Sequence, residues 1–455
     1  MRTQVLCVLA LASAGCSWQR FDDVVEKSPI VLLSRPKAIS SGFGSSLATG
    51  RGENEDDVVL LVGGAPLRSG GAVFKLGTGD SPNLSASDTG HCMGSDAPCY
   101  FSSAPVALQG VRRPGGKWPL CFANGIGTAV RDTGVVVRCS DSVEYALDVP
   151  EVAAELLKDS IETAQPTLVR FGADRGPEPG FMATAEEESA VWYYPPLDQK
   201  FVDIPNPADS KSRWQKNQLR NLSVARVGES GRLLVVGMPS ENSARMFYAP
   251  DGATPAYVGC LGGTQGFGRA LATGPVAKGD DDDELVISDE STVYVFDAAK
   301  LATLVPTTST ECSLGALPEG SLVASFKCGS TKNISGCESS SFGAALAVGD
   351  LDGDGDGEVV VGAPGMTVRH VANAGALLIY DVEEGDGAEL YDFKDIAFLS
   401  SAEQDDRLGS SIALPAIEGR QIIAAGAPGH GKTALFYCPS FLPDDKSGAR
   451  CKPVD

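Results

Sequence analysis

Short apolar runs, rich in β-branched residues and separated by small and polar turns, recur along the chain and predict strands rather than helices. The outline is clearest in four stretches: Ser41 to Pro66, Gly266 to Asp297, Phe342 to Pro364 and Arg407 to Tyr437. In each, a Phe-Gly or Leu-Gly pair opens an apolar strand, a polar loop follows, and a second strand ends in a small-residue turn before a third. Weaker copies fill the intervals at Gly125 to Leu147, Leu168 to Tyr194 and Leu219 to Tyr248, which makes seven units. Only Val152 to Thr163 has helical spacing, at Ala153, Leu157 and Ile161, and it is read as a short helix on a connecting loop.

A unit of three or four short strands cannot bury both of its faces alone. Radial stacking covers each face with a neighbouring unit and leaves only short edges, so seven units predict an all-β fold, a seven-bladed β-propeller. Ile30 to Leu33 (IVLL) precedes the first unit, while the last stops after Thr433 to Cys438 without a fourth strand. The early strand is therefore expected to complete the last blade. Gly77 to Pro114 and Ser313 to Ser340 are long and polar and read as insertions between blades.

One loop carries specific chemistry. In Phe342 to Pro364 (FGAALAVGDLDGDGDGEVVVGAP), Asp350, Asp352, Asp354, Asp356 and Glu358 occupy alternate positions, with Gly353, Gly355 and Gly357 between them. A hard cation such as Ca²⁺ takes six to eight oxygens, and a glycine-rich turn can bring these acids to one point. An EF-hand would place a Glu at the twelfth position from Asp350, where Val361 stands, so the loop enters a strand instead. Asp350, Asp352, Asp354 and Glu358 would offer side-chain oxygens and Asp356 its backbone carbonyl.

Phe342-Gly343, the loop Asp350 to Glu358 and Gly362-Ala363-Pro364 together resemble the FG-GAP repeat, the unit of the integrin alpha-chain β-propeller. Glu358 stands where that family usually has Asp. The resemblance implies a Ca²⁺ ion that rigidifies one face of the propeller, while loops on the other face bind a partner. Two other acidic runs, Glu53 to Asp57 and Asp280 to Glu284, read as remnants that are solvated turns. Thr49 and Arg51 replace the first acids in one, Val276 and Lys278 in the other.

The start of the chain alters the setting. Arg2, the apolar run Val5 to Ala12 and small residues before Cys16 read as a secretory signal over residues 1–15. Ser13-Ala14-Gly15-Cys16 resembles a bacterial lipobox, which implies lipidation of Cys16, a tether over 16–27 and, with Ser17 next, an outer-membrane lipoprotein on the cell surface or periplasmic face. The propeller then occupies 28–440 and a tail 441–455. Acidic residues number 59 against 37 Lys and Arg, a net charge of −22, which argues against nucleic acid as a partner. Of the 12 cysteines, those beyond Cys7 and Cys16 are even in number, which in an exported chain predicts disulfides. Near neighbours in sequence are Cys92 with Cys99, Cys121 with Cys139, Cys260 with Cys312, Cys328 with Cys337, and Cys438 with Cys451; spacing does not fix the connectivity.

Gly426 to Thr433 (GAPGHGKT) matches the GxxxxGK[ST] phosphate loop, but that motif needs a strand feeding a helix, and Ala434 to Cys438 is strand-like. No nucleotide is therefore expected. The three histidines, His91, His370 and His430, fall in different units, and His430 is expected to be exposed in a turn. The expected function is a non-catalytic, calcium-stabilised surface binding or adhesion module on a lipid anchor, with a protein or glycan ligand. A propeller hydrolase or lyase with its site in the central channel, or an accessory domain of one, is the alternative; a purely structural envelope protein is the third reading.

Overall fold

The computed structural model describes residues 30–35, 42–51, 58–63, 71–76, 85–87, 106–108, 121–124, 136–139, 144–146, 166–170, 181–185, 191–194, 202–207, 214, 221–250, 253–276, 282–304, 312–314, 317–328, 340–353, 355–382, 391–397, 399, 401–417 and 420–436. Among these residues the chain forms seven four-stranded antiparallel sheets, numbered here in chain order. Sheet 1 takes Ser46–Arg51, Val58–Gly63, Gly71–Leu76 and Ser85–Ser87. Sheet 2 takes Val106–Leu108, Cys121–Asn124, Val136–Cys139 and Glu144–Ala146, and sheet 3 Pro166–Arg170, Phe181–Ala185, Val191–Tyr194 and Val202–Asp203. Sheet 4 runs Asn221–Val227, Gly231–Met238, Ser243–Ala249 and Ala256–Gly262; sheet 5 runs Ala270–Gly274, Glu284–Ser288, Thr292–Asp297 and Leu322–Lys327. Sheet 6 is Leu346–Gly349, Glu358–Ala363, Ala376–Val382 and Tyr391–Ala397.

Sheet 7 departs from this order. Ser411–Ala413, Ile423–Ala427 and Lys432–Phe436 are its first three strands, and the fourth is Ile30–Ser34, paired antiparallel from Ile30 opposite Phe436 to Ser34 opposite Lys432. A two-stranded pair, Ala416–Ile417 with Arg420–Gln421, lies within its first connection. The first strand of each sheet lies beside that of the next, and the first strand of sheet 7 lies beside that of sheet 1. Among the described residues the only helices are Ala298–Ala302, capped by the Asp297 carboxylate on Lys300 N–H at 2.8 Å, and the 3₁₀ turn Pro239–Glu241. No helix among them is long and apolar enough to cross a membrane.

Facing sheets bury their side chains between them, which explains runs that do not alternate. Val359 and Val361 pack with Val286, Val295 and Phe326 of sheet 5, while Val360 packs with Ile423 and Ala425 of sheet 7. A strand covered on both faces reads as continuous apolar sequence. Leu233, Val235 and Met246 meet Phe267, Leu285 and Ile287 between sheets 4 and 5. Leu33, Ala424 and Leu435 of sheet 7 meet Phe43, Leu60, Val62 and Phe74 on the side of sheet 1.

Close backbone approach repeats at these boundaries. The Ser288 hydroxyl donates to Gly343 O at 2.7 Å between sheets 5 and 6, and the Ser411 hydroxyl donates to Gly44 O at 2.8 Å across 367 residues of chain. A side chain at Gly426 would run into Gly44 O, and Gly44 itself sits at φ +90°, so glycine is required on both sides of that contact.

Two expectations are corrected. The stretch Gly77 to Pro114 is not a plain insertion: it supplies Ser85–Ser87, the outer strand of sheet 1, and Val106–Leu108, the first strand of sheet 2. Likewise Ser313 to Ser340 holds Leu322–Lys327, the outer strand of sheet 5. An outer strand is paired on one edge only, so a short segment such as Ser85–Ser87, which reads SAS, can serve there without the apolar run of an inner strand. The helix expected at Val152 to Thr163 lies outside the described residues.

Candidate metal centre

The acid-rich loop joins the first two strands of sheet 6, where Gly349 faces Glu358 as the last rung of the hairpin. Asp350 organises the turn: its Oδ1 accepts from Gly353 N–H at 2.6 Å and its Oδ2 from Gly355 N–H at 3.2 Å. Gly355 lies at φ +102° with open space where a Cβ would stand, so here the glycine serves backbone conformation rather than packing. Leu351, the one apolar residue of the loop, points inward and is 4 % exposed.

Glu358 is 1 % exposed, and its Oε2 accepts from Leu351 N–H at 2.7 Å. Burial pushes its carboxyl up to about 8; the Leu351 N–H opposes that shift, and the negative charges of Asp352 and Asp381 add to it. One oxygen each from Asp350, Asp352 and Glu358 lie within 4.8 Å of one another. Convergent carboxylates with no softer donor suit a hard divalent cation, which would also relieve the mutual repulsion. Asp354 lies outside the described residues. Asp356, expected to contribute a carbonyl, has a side chain that is 7 % exposed.

Of the acidic run Asp280 to Glu284, the described residues Asp282, Asp283 and Glu284 are bound to protein rather than solvated, and this corrects the reading from sequence for them. Asp283 is 8 % exposed and Glu284 3 %. Asp283 Oδ2 accepts from Arg226 N–H at 2.8 Å, its Oδ1 lies 3.6 Å from the Arg226 guanidinium, and its own N–H donates to Arg226 O at 3.0 Å. Asp282 accepts from Gly228 N–H. These acids therefore bind the sheet 5 loop to the first hairpin of sheet 4. Burial raises the Asp283 carboxyl above its usual range, against the pull of Arg226. Glu284 Oε2 accepts from Val276 N–H at 2.6 Å, as Glu358 does from Leu351, and Gly274 faces Glu284 as Gly349 faces Glu358. By this register the counterpart of Asp350 is Pro275, and Val276 matches Leu351 rather than an acid. Sequence reading missed this shared glutamate; the signal available was a Gly at the end of one strand and a Glu opening the next, present in both units. Asp281, Asp280 and the remnant Glu53 to Asp57 lie outside the described residues.

The phosphate-loop match is a strand, a turn and a strand: Ile423–Ala427, the turn Pro428 to Gly431, and Lys432–Phe436. The helix that motif requires is replaced by an inner strand of sheet 7, paired on both sides. Lys432 Nζ is engaged by Glu403 at 2.6 Å and Asp406 at 3.2 Å. His430 is partly exposed, at 40 %, yet is not simply a solvated turn residue, because its Nδ1 lies 2.9 Å from Oδ1 of the fully buried Asp406. His370 is exposed at a turn with φ +69°, and His91 lies outside the described residues.

Cys260 and Cys312 form a disulfide that ties the outer strand of sheet 4 to the long connection of sheet 5. Cys121 and Cys139 face each other across adjacent strands of sheet 2, and Cys328 is disulfide-bonded. Cys16, Cys92, Cys99, Cys337, Cys438 and Cys451 lie outside the described residues.

Three solved structures resemble the chain in outline. A selenium-binding protein, described as hypothetical, from Sulfolobus tokodaii has TM-score 0.46 at 10 % identity, over 83 % of this chain and 84 % of that one. A mutant of AofleA from Arthrobotrys oligospora has TM-score 0.40 at 9 %, over 83 % and 91 %. A mutant of the Aleuria aurantia lectin, in complex with α-methyl-L-fucoside, has TM-score 0.38 at 9 %, over 83 % and 97 %. No curated protein matches the chain. The model of the FG-GAP repeat family matches residues 342–380, which run from Phe342 through the acid-rich loop to the third strand of sheet 6. The loop that gathers Asp350, Asp352 and Glu358 thus lies inside an FG-GAP repeat, and this chain is a protein that carries one.

Proposed function

We propose that the seven sheets are the blades of one closed propeller and that the sheet 6 loop holds a single Ca²⁺. We further propose that the protein is a non-catalytic, calcium-stabilised binding or adhesion module, carried at the cell surface by a lipid on Cys16. The observation that carries this reading is the convergence of Asp350, Asp352 and Glu358 oxygens within 4.8 Å inside the FG-GAP repeat. The cyclic order of the first strands and the seat of Ile30–Ser34 in sheet 7 support the closed propeller.

Asp350, Asp352 and Glu358 would hold the ion, with Asp354 and the Asp356 carbonyl completing the set. The ion supplies charge neutralisation and rigidity to one face of the propeller, and no chemical step is assigned to it. Asp350 already fixes the turn through Gly353 and Gly355, so the loop presents its carboxylates without a large rearrangement. The partner is a protein or glycan bound by loops on the opposite face, since loops on a rigid scaffold are where binding usually resides.

The test is capture from surface extracts of the host cell, using the whole protein with Ca²⁺, with chelator, and as Asp350→Ala. The reading expects one set of captured molecules with Ca²⁺ that is lost under both other conditions. Capture indifferent to chelator and to the substitution would overturn it.

A further inference from the structure

We infer that Glu358 is a positioning residue, which pins the loop through Leu351 with one oxygen and offers only the other to a cation. The pin does not depend on the ion. Sheet 5 supplies the comparison within the same chain. Its loop has Pro275 at the place of Asp350, yet the same buried glutamate makes the same bond, Glu284 to Val276 N–H at 2.6 Å against Glu358 to Leu351 N–H at 2.7 Å. In both, the glutamate opens the second strand opposite a glycine, and the residue whose N–H it accepts is buried and apolar: Val276 at 0 % and Leu351 at 4 %.

The physical need is plain. A loop that turns an apolar side chain inward buries that residue's N–H as well, and a buried N–H without an acceptor is costly. Glu reaches one methylene further than Asp, which lets it take the inward N–H as well as stand near the carboxylates. Sheet 5 then ties the end of its loop to protein groups, Asp283 on Arg226 and Asp282 on Gly228, whereas in the sheet 6 loop it is Asp350 that fixes the turn through Gly353 and Gly355. Sheet 6 is the version of this loop with ligands added to an existing frame.

The calcium half of the inference rests on the proposed function, but the pin does not, and the experiment separates them. Amide hydrogen exchange is followed at residues 349–359 and 274–284 in chelator and in Ca²⁺, for the whole protein and for Glu358→Gln, Glu358→Ala, Glu284→Gln and Glu284→Ala. In chelator, the Gln variants should keep the slow exchange of Leu351 and Val276, since an amide oxygen still accepts the bond, and the Ala variants should lose it. Calcium titration should show Glu358→Gln weakened roughly 10- to 100-fold, because the amide keeps the pin but the site loses one carboxylate charge and affinity follows ligand charge count, and both Glu284 variants unchanged. Equal exchange in the Gln and Ala variants, whether slow or fast, would overturn the pin. A wild-type protein blind to Ca²⁺ in titration, with the Gln and Ala variants still distinct in chelator, would sink the calcium reading and leave the pin standing.

Discussion

The rings of Phe326 and Tyr380 stack with centroids 4.2 Å apart and planes 18° from parallel, one from the outer strand of sheet 5 and the other from the third strand of sheet 6. Phe342, whose ring stands edge-on to Tyr380 at 6.3 Å, completes the contact. The Phe of the Phe-Gly pair is thus a packing residue, lodged against the boundary between two sheets. Phe326→Ala opens a cavity there and is expected to destabilise the protein by about 3 to 5 kcal/mol. Leu32→Ala, at a side chain 42 % exposed, should cost far less. Thermal melts of the two variants beside wild type check this; equal melting temperatures would contradict the packing account.

Calcium should stabilise the folded protein by RT ln(1 + [L]/Kd), about 2.7 kcal/mol at a hundredfold excess over Kd. Asp350→Ala, Asp352→Ala and Asp354→Ala should each remove most of that gain. Asp282→Ala should leave the calcium increment intact but lower the melting temperature in chelator, because it frees Gly228 N–H at the seam between sheets 4 and 5. Melting curves with and without Ca²⁺ for these four variants supply the check.

Without Ca²⁺, the Glu358 carboxyl is raised by burial from 4.5 to about 8. A carboxyl raised in the folded state binds its proton more tightly there than in the unfolded chain, so its contribution is fully present below about pH 4.5 and is lost as pH rises to about 8. In chelator, stability should therefore decline across that window, and Glu358→Gln should flatten the decline. Saturating Ca²⁺ should flatten it in wild type, since the ion favours the ionised form. Denaturant midpoints measured at several pH values, with and without the ion, test this; a decline of the same slope in Glu358→Gln would assign it to other groups.

Deleting residues 28–34 takes from sheet 7 its fourth strand and the buried Leu33, which is 5 % exposed. The Lys432–Phe436 strand is left with an open edge. The melting temperature should fall for the protein as a whole, not for one local transition. Unfolding identical to that of the intact chain would show that the strand is dispensable.

The parts of this fold legible in the sequence were those where one residue type has one physical use. The Val359 to Val361 run demands cover on both faces, and Phe342-Gly343 marks a packed ring beside a turn at φ +79°. Rim strands such as Ser85–Ser87 were illegible, because a segment paired on one edge needs no apolar pattern. Within the acid-rich loop the alternation of Asp with Gly pointed to convergent oxygens, and Asp350, Asp352 and Glu358 do converge. Asp283 misled for a reason that composition cannot express: its partner, Arg226, lies 57 residues away on the neighbouring sheet, so a cluster that looks hydrated is bound to protein. The backbone bonds of Glu284 and Glu358 depend on hairpin register, which shifts the apparent match of Val276 by one residue.

The seat of Ile30–Ser34 beside Lys432–Phe436 has a consequence for the order of events in synthesis. Each of the other six sheets is built from consecutive strands and can assemble once its own stretch has emerged, in a vectorial manner. Sheet 7 cannot. Among the described strands its fourth is made before all the others and waits for the third, made after them, so the longest-range pairing among them carries the largest loop-closure entropy. Until then the waiting strand, reading Ile-Val-Leu-Leu-Ser, is an apolar segment without a partner, open to pairing with other chains. A chain interrupted before Lys432 is thus expected to aggregate through its beginning, at a point far in sequence from the break.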